Sequence, residues 1–191
     1  MAGEVEYGMD CNNMGHPRTR ELLEYLDEQR AVLRAAFEAV PAPQRDRAPA
    51  EGRWSVAGNI EHLAIVETRL SARLSALIAE AKAAGLLGPE PSSEPVLPGV
   101  GAGRAIDRTT RLVAPDAIHP TGASADAAWN ALEEAGKRVR EVLNAGDGLA
   151  LGTLSMPHPL FGPLSAYHWL AFVGGHEARH AAQIREIVFA D

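Results

Sequence analysis

Apolar residues recur along this chain at intervals of three, four and seven over four long stretches, the period of an α-helix that buries one face. The first stretch runs from about Thr19 to Val40, with Leu22, Leu26, Leu33, Phe37 and Val40 on one stripe, and the Pro41-Ala42-Pro43 run ends it by removing amide donors. The second follows Trp54, with Ser55 placed to cap it, and continues through Ile60, Leu63, Val66, Leu70, Leu74 and Leu77 to Gly85. The third begins near Ser124, carries Trp129, Leu132, Val139 and Leu143, and stops at Gly146-Asp147-Gly148. The fourth opens near Ser165, just after Pro163, and reaches almost to the end of the sequence.

Strand signals are sparse: apart from short pieces such as Leu112 to Ala114, no stretch alternates apolar and polar residues for long between turn markers. The expected fold class is therefore all-α. The second and third helices are separated by a Gly- and Pro-rich segment, residues 86–123, which is long for a connection inside a compact domain. A four-helix bundle explains it, because two successive helices that run parallel need a crossover as long as the bundle. The reading is one domain over residues 18–191 after a polar, acidic tail at 1–17, with no internal repeat.

Composition narrows the function classes. Over 191 residues, 46% are apolar and 23% charged, ordinary globular values. A net charge of −7 argues against an extended nucleic-acid surface, which would need Lys and Arg to neutralise phosphates. The single cysteine, Cys11, excludes an internal disulfide framework and fits a reducing compartment. The first residues have neither a basic nor an apolar leader region, and no apolar run is long enough for a membrane span, so a cytoplasmic protein is expected.

The chemistry concentrates in histidines. His176 and His180 are four residues apart on the fourth helix, beside Trp169, Val173, Ile184 and Ile187, so both imidazoles are expected to face the core. At that spacing the two Cβ atoms stand about 5–6 Å apart, a span one divalent ion can bridge. His62, in the second turn of the second helix, is flanked by Ile60, Leu63 and Val66. In a bundle, one imidazole from the second helix and two from the fourth can converge on a metal, and three neutral nitrogens leave a coordination position open for water or substrate. The alternative is a set of ordinary core histidines satisfied by a carbonyl, a water or one another.

Two segments carry a family resemblance. RWSVAGNIEHLAIVETRL, from Arg53 to Leu70, resembles the W-S-x-x-x-x-x-x-H-L signature of the DinB/YfiT-like superfamily, and HPLFGPLSAYHWLAFVGGHEARHAAQI, from His158 to Ile184, is similar to its H-P-x-F-G-x-L loop followed by H-x-x-x-H-x-x-Q-I. The resemblance implies an up-down-down-up bundle with a divalent transition metal (zinc, nickel, iron or manganese) bound by His62, His176 and His180. It also implies two classes of function. One is a metal-dependent hydrolase or S-transferase acting on a small-molecule electrophile, in one branch with a low-molecular-weight thiol such as bacillithiol or mycothiol. The other is a non-catalytic, stress-related or damage-inducible metal-binding sensor. Where the family often has an acidic residue before its Trp-Leu, this chain has His168-Trp169-Leu170.

His176-Glu177-Ala178-Arg179-His180 also spells H-E-x-x-H, the zinc-protease signature. The metzincin extension needs a glycine at position 183 and a histidine at 186, where this chain has Gln183 and Glu186, and no downstream subdomain follows to build a peptide cleft. Glu177 sits about 100° around the helix from His176 and is expected at the edge of the site; it is a weak candidate for a base, as is His158 in the loop before the helix. Gln183 is a candidate for holding an imidazole in place from outside the ligand set. Trp54 and Trp169 read as packing aromatics, His16 and His119 as loop residues, and Cys11 as an unactivated thiol. A homodimer, common in bundles of this kind, is carried as an expectation.

Overall fold

In the computed structural model, which describes residues 15–100, 114–158 and 162–187, the chain forms four helices: α1 (Pro17–Glu38), α2 (Val56–Ala83), α3 (Ala125–Ala145) and α4 (Ala166–Arg185). Leu112, Val113 and Cys11 lie outside the described residues. Three helices start at a serine whose hydroxyl accepts an amide of the first turn: Ser55 from Gly58, Ser124 from Ala127 and Ser165 from His168. Each cap satisfies one of the amides that a helix N-terminus leaves without a partner.

Contacts at the helix ends give the directions. Glu61, early in α2, bonds Thr121 and Ala123 at the entry to α3, while Lys82 at the far end of α2 donates to the carbonyl of Ala145, the last residue of α3, at 2.7 Å. These two helices therefore run parallel. Arg18, at the start of α1, lies 5.5 Å over the ring of Tyr167 at the start of α4, and Arg185 at the end of α4 reaches the carbonyl of Val32 late in α1. The start of α1 also meets Glu90, just beyond the end of α2, at 2.9 Å, which makes α1 and α2 antiparallel. The order is up-down-down-up, with α2 packed mainly on α3 and α1 on α4.

The apolar core is in two halves. One, around Leu22, Leu26, Leu70, Leu74, Leu143 and Leu170, fills the end where α1 begins. The other, around Leu33, Phe37, Ile60, Leu63, Leu132 and Ile184, fills the end that holds the histidines. Between them lies a polar layer. Arg30 of α1 donates to both oxygens of Glu177 on α4 (3.0 and 2.8 Å), to Glu67 on α2 (2.9 Å) and to the carbonyl of Leu132 on α3 (3.1 Å). Both carboxylates are 1% exposed, and burial with Glu177 alongside pushes the Glu67 carboxyl well above its usual range. A Cβ added to Gly136 of α3 would stand 3.1 Å from two guanidinium nitrogens, so this glycine leaves room for the layer.

One element departs from the all-helical expectation. β1 (Ser155–His158) and β2 (Gly162–Ser165) form an antiparallel hairpin before α4. Each strand is only four residues long and Pro157 faces Pro163, so the segment lacks the alternation and the β-branched residues that mark a strand in sequence. Trp169 ties the hairpin to α4 by donating its indole N–H to the carbonyl of Met156 at 3.2 Å.

The first part of the crossover is pinned to the bundle end by Glu90, which accepts from the hydroxyl of Tyr167 (2.6 Å), from Arg18 (2.9 Å) and from the amide of Ser92 (3.1 Å). Burial raises the Glu90 carboxyl, but these donors outweigh it and hold it below the usual carboxylate range. Its stabilisation is therefore present above the unfolded value of about 4.3 and is lost as pH falls through the depressed folded value. Glu90→Gln is expected to be less stable near pH 7 and to lose less of its remaining stability than the parent between pH 5 and 3. Urea melts at several pH values would show whether the two curves converge in acid or stay parallel, the latter refuting the assignment.

Candidate metal centre

Residues 118–123, the last part of the crossover, build one wall of the histidine site. Glu61, one residue before His62, accepts from the amide and hydroxyl of Thr121 through one oxygen (2.9 and 2.6 Å), and from the amides of Gly122 and Ala123 through the other (both 3.0 Å). Burial raises this carboxyl, and the four donors more than reverse the effect, leaving it below its usual range. The latch fixes the loop so that the carbonyl of Ile118 meets Nδ1 of His62 at 2.8 Å. A carbonyl only accepts, so His62 carries its proton on Nδ1 and presents Nε2 as a lone pair.

His180 is oriented from the facing helix. Its Nδ1 lies 2.8 Å from Oδ1 of Asn59, whose amide nitrogen donates to the carbonyl of Ser55 at 2.8 Å. That second bond fixes which end of the carboxamide faces the ring, so Nδ1 of His180 is again the donor and Nε2 the free lone pair. Nε2 of His180 stands 3.1 Å from Nε2 of His176. Either His176 lends a proton to that contact, or two lone pairs face each other in a way that only a cation would hold together.

The three rings therefore offer nitrogens that all lie within 4.8 Å of one another, with His62 and His180 buried and His176 partly open. Two bonds of 2.0–2.1 Å at a tetrahedral angle span about 3.3 Å, close to the 3.1 Å between His176 and His180, and the set as a whole lies within 4.8 Å. Burial and the neighbouring His62 push the His176 ring down to about 3, and burial lowers His62, so these two rings are neutral near pH 7. Neutral, pre-oriented imidazole nitrogens suit a divalent transition metal.

Aromatic rings enclose the set. Trp54 lies over His62 (4.8 Å between centroids) and His180 (6.4 Å, nearly parallel), and its other neighbour is His119 of the crossover (5.8 Å). Phe172 stacks on His176 at 5.3 Å. Trp54 also borders a cleft of about 430 Å³ walled by Arg53, Ser55, Pro120 and Ser124, which none of the three histidines lines.

A match to the DinB superfamily covers residues 25–184, from the first helix through the last histidine. The chain belongs to the DinB superfamily. A curated relative, the uncharacterized protein YuaE of Bacillus subtilis (strain 168), is 47% identical over 32 residues, which are 17% of this chain. The match spans about a fifth, 20%, of that relative's length. In three dimensions this DinB bundle is similar to TT2238, described as a four-helix bundle protein, with a TM-score of 0.59 and 20% identity over 87% of this chain and 98% of that one. At that identity the likeness establishes the fold.

The remaining sequence candidates are placed differently from expectation. Glu177 does not sit at the edge: it is 1% exposed and both its oxygens are taken by Arg30 in the bundle interior, which ties up the carboxylate that a base would need free. The partner that orients His180 Nδ1 is Asn59 from α2, the role for which Gln183 was the candidate. His158 packs its half-buried ring on Trp169 (4.9 Å) and Phe172 (5.3 Å), one ring removed from His176. Asn59, Glu61 and Ile118 are the contributors that sequence reasoning missed. The only hint was Asn59 and Glu61 at polar positions in the otherwise apolar first turns of α2. No helix among the described residues is long and apolar enough to cross a membrane.

Proposed function

We propose that this DinB bundle binds one divalent transition metal through His62, His176 and His180 and uses it as a Lewis acid on a small-molecule substrate. The observation that carries the reading is the pair of fixed tautomers. Ile118 and Asn59 accept the Nδ1 protons of two rings and leave each Nε2 as a lone pair, with Nε2 of His180 3.1 Å from His176 and ligand atoms of all three rings within 4.8 Å, an arrangement that ordinary core packing does not require. A divalent ion held there would supply Lewis acidity to a water or a thiol, which suits hydrolysis or thiol transfer to an electrophile. The chain's own contributions are to orient the imidazole donors and to limit water access with Trp54 and Phe172.

The expected result on metal removal follows from mass action. A ligand at 100 times its dissociation constant stabilises the folded state by about 2.7 kcal/mol, so chelation should lower the melting temperature by roughly 5–10 °C, reversibly on adding zinc or nickel. The loaded protein is then expected to turn over thiol and electrophile pairs or activated esters and amides, with loss of turnover on chelation. Metal-dependent melting without turnover over a broad screen would favour a binding or sensor role. An unchanged melt with zinc, nickel, iron and manganese would remove the proposal.

A further inference from the structure

Three ionisable side chains occupy apolar-stripe positions in the middle of the bundle and meet one another there. Arg30 comes from α1, Glu67 from α2 and Glu177 from α4, and Arg30 also reaches the backbone of α3 at Leu132. Apolar residues fill the core on both sides of this layer. We propose that the Arg30–Glu67–Glu177 layer is a positioning element for the three-histidine site: it sets the rotation and register of α4 against α2, so that His176 and His180 meet His62. The inference rests on the metal-site reading above.

The placement supports it. Glu177 sits between His176 and His180 in sequence, and Glu67 lies five residues beyond His62 on the same helix. One guanidinium nitrogen, Nη2, bonds both carboxylates, at 2.9 and 2.8 Å, so a single rigid fork spans the two helices that carry the ligands. Apolar packing is not directional, and a helix held by it alone can turn about its axis. A 20° turn moves an atom 6 Å from the axis by about 2 Å, far more than the roughly 0.2 Å tolerance of a metal–nitrogen bond. Buried polar layers have this registering use in coiled coils, where they select alignment at the expense of stability. Tyr25 of α1, whose ring lies against the backbone of α4 at Gly174, marks where the two helices approach closely.

The test replaces the whole layer by apolar side chains of similar size, Arg30→Met/Glu67→Leu/Glu177→Leu, which leaves no unpaired buried charge. Zinc and cobalt are titrated into parent and variant, with the cobalt absorption bands reporting coordination geometry. The expected result is a cooperatively folded variant whose zinc affinity is weaker by about 10- to 100-fold, with altered cobalt bands. Affinity within threefold of the parent and identical bands would overturn the inference, since a merely stabilising layer would leave them unmoved. Glu177→Gln, which keeps the shape and breaks the bidentate pair, serves if the triple variant does not fold, and is expected to weaken zinc about tenfold. If the parent takes up no metal, the metal-site reading fails. The imidazole nitrogen signals of the metal-free proteins then decide the positioning claim: altered histidine signals in the variant sustain it, and unaltered ones refute it.

Discussion

Arg30→Met is expected to be the most destabilising single substitution of a charged residue in this protein. It leaves Glu67 and Glu177 buried beside each other without the guanidinium that bonds both, at 1% exposure each. Removing one partner of a buried ionic group costs about 3–5 kcal/mol, because the carboxyls must then take up a proton or stay charged without hydration, and neither restores the guanidinium's hydrogen bonds. Against a total stability of about 5–15 kcal/mol this is a large fraction, and for a chain of this size the melting temperature should fall by about 6–20 °C. The backbone carbonyl of Leu132 also loses its donor. Urea unfolding gives the figure directly, and a loss under about 1 kcal/mol would mean the layer is hydrated.

Glu61→Gln is expected to act on stability and metal affinity together. The carboxylate accepts four hydrogen bonds from residues 121–123, two on each oxygen. A carboxamide keeps one acceptor oxygen and turns an N–H₂ group toward two amides that also donate, leaving them unsatisfied at about 1–3 kcal/mol each. The loss of stability should reach about 2–6 kcal/mol. Once the latch is open, the carbonyl of Ile118 no longer holds the proton of His62 on Nδ1, so zinc affinity should fall by about 10- to 100-fold. Denaturant melts and zinc titrations on the same preparation separate the two effects. Loss of stability with zinc affinity intact would show that the loop does not orient His62.

The helices and their order were legible because the apolar stripes are long and each helix start has its serine or proline. His62, His176 and His180 were legible as candidates for the same reason: their spacing puts them on inward faces. The polar layer was present as a gap in the stripes. Leu26 and Leu33 flank Arg30, and Leu63 and Leu70 flank Glu67, so each charge stands where the period calls for an apolar residue. A charge there makes sense only with its partner, and pairing across helices is a tertiary fact that one helix does not display. The placement of residues 121–123 was hidden for a similar reason, since it is set by Glu61 capturing three loop amides. The hairpin before α4 is held by a register with facing prolines and by Trp169, neither of which leaves a period in the sequence.

The most direct measurement is the metal content of untagged protein purified without chelator, for the parent and for His180→Ala, with folding of both checked by circular dichroism. Three converging imidazole nitrogens predict about one equivalent of a divalent transition metal in the parent and little or none in the variant. A parent that remains metal-free after incubation with zinc, nickel, iron and manganese, or a folded variant that retains the full equivalent, would contradict the account.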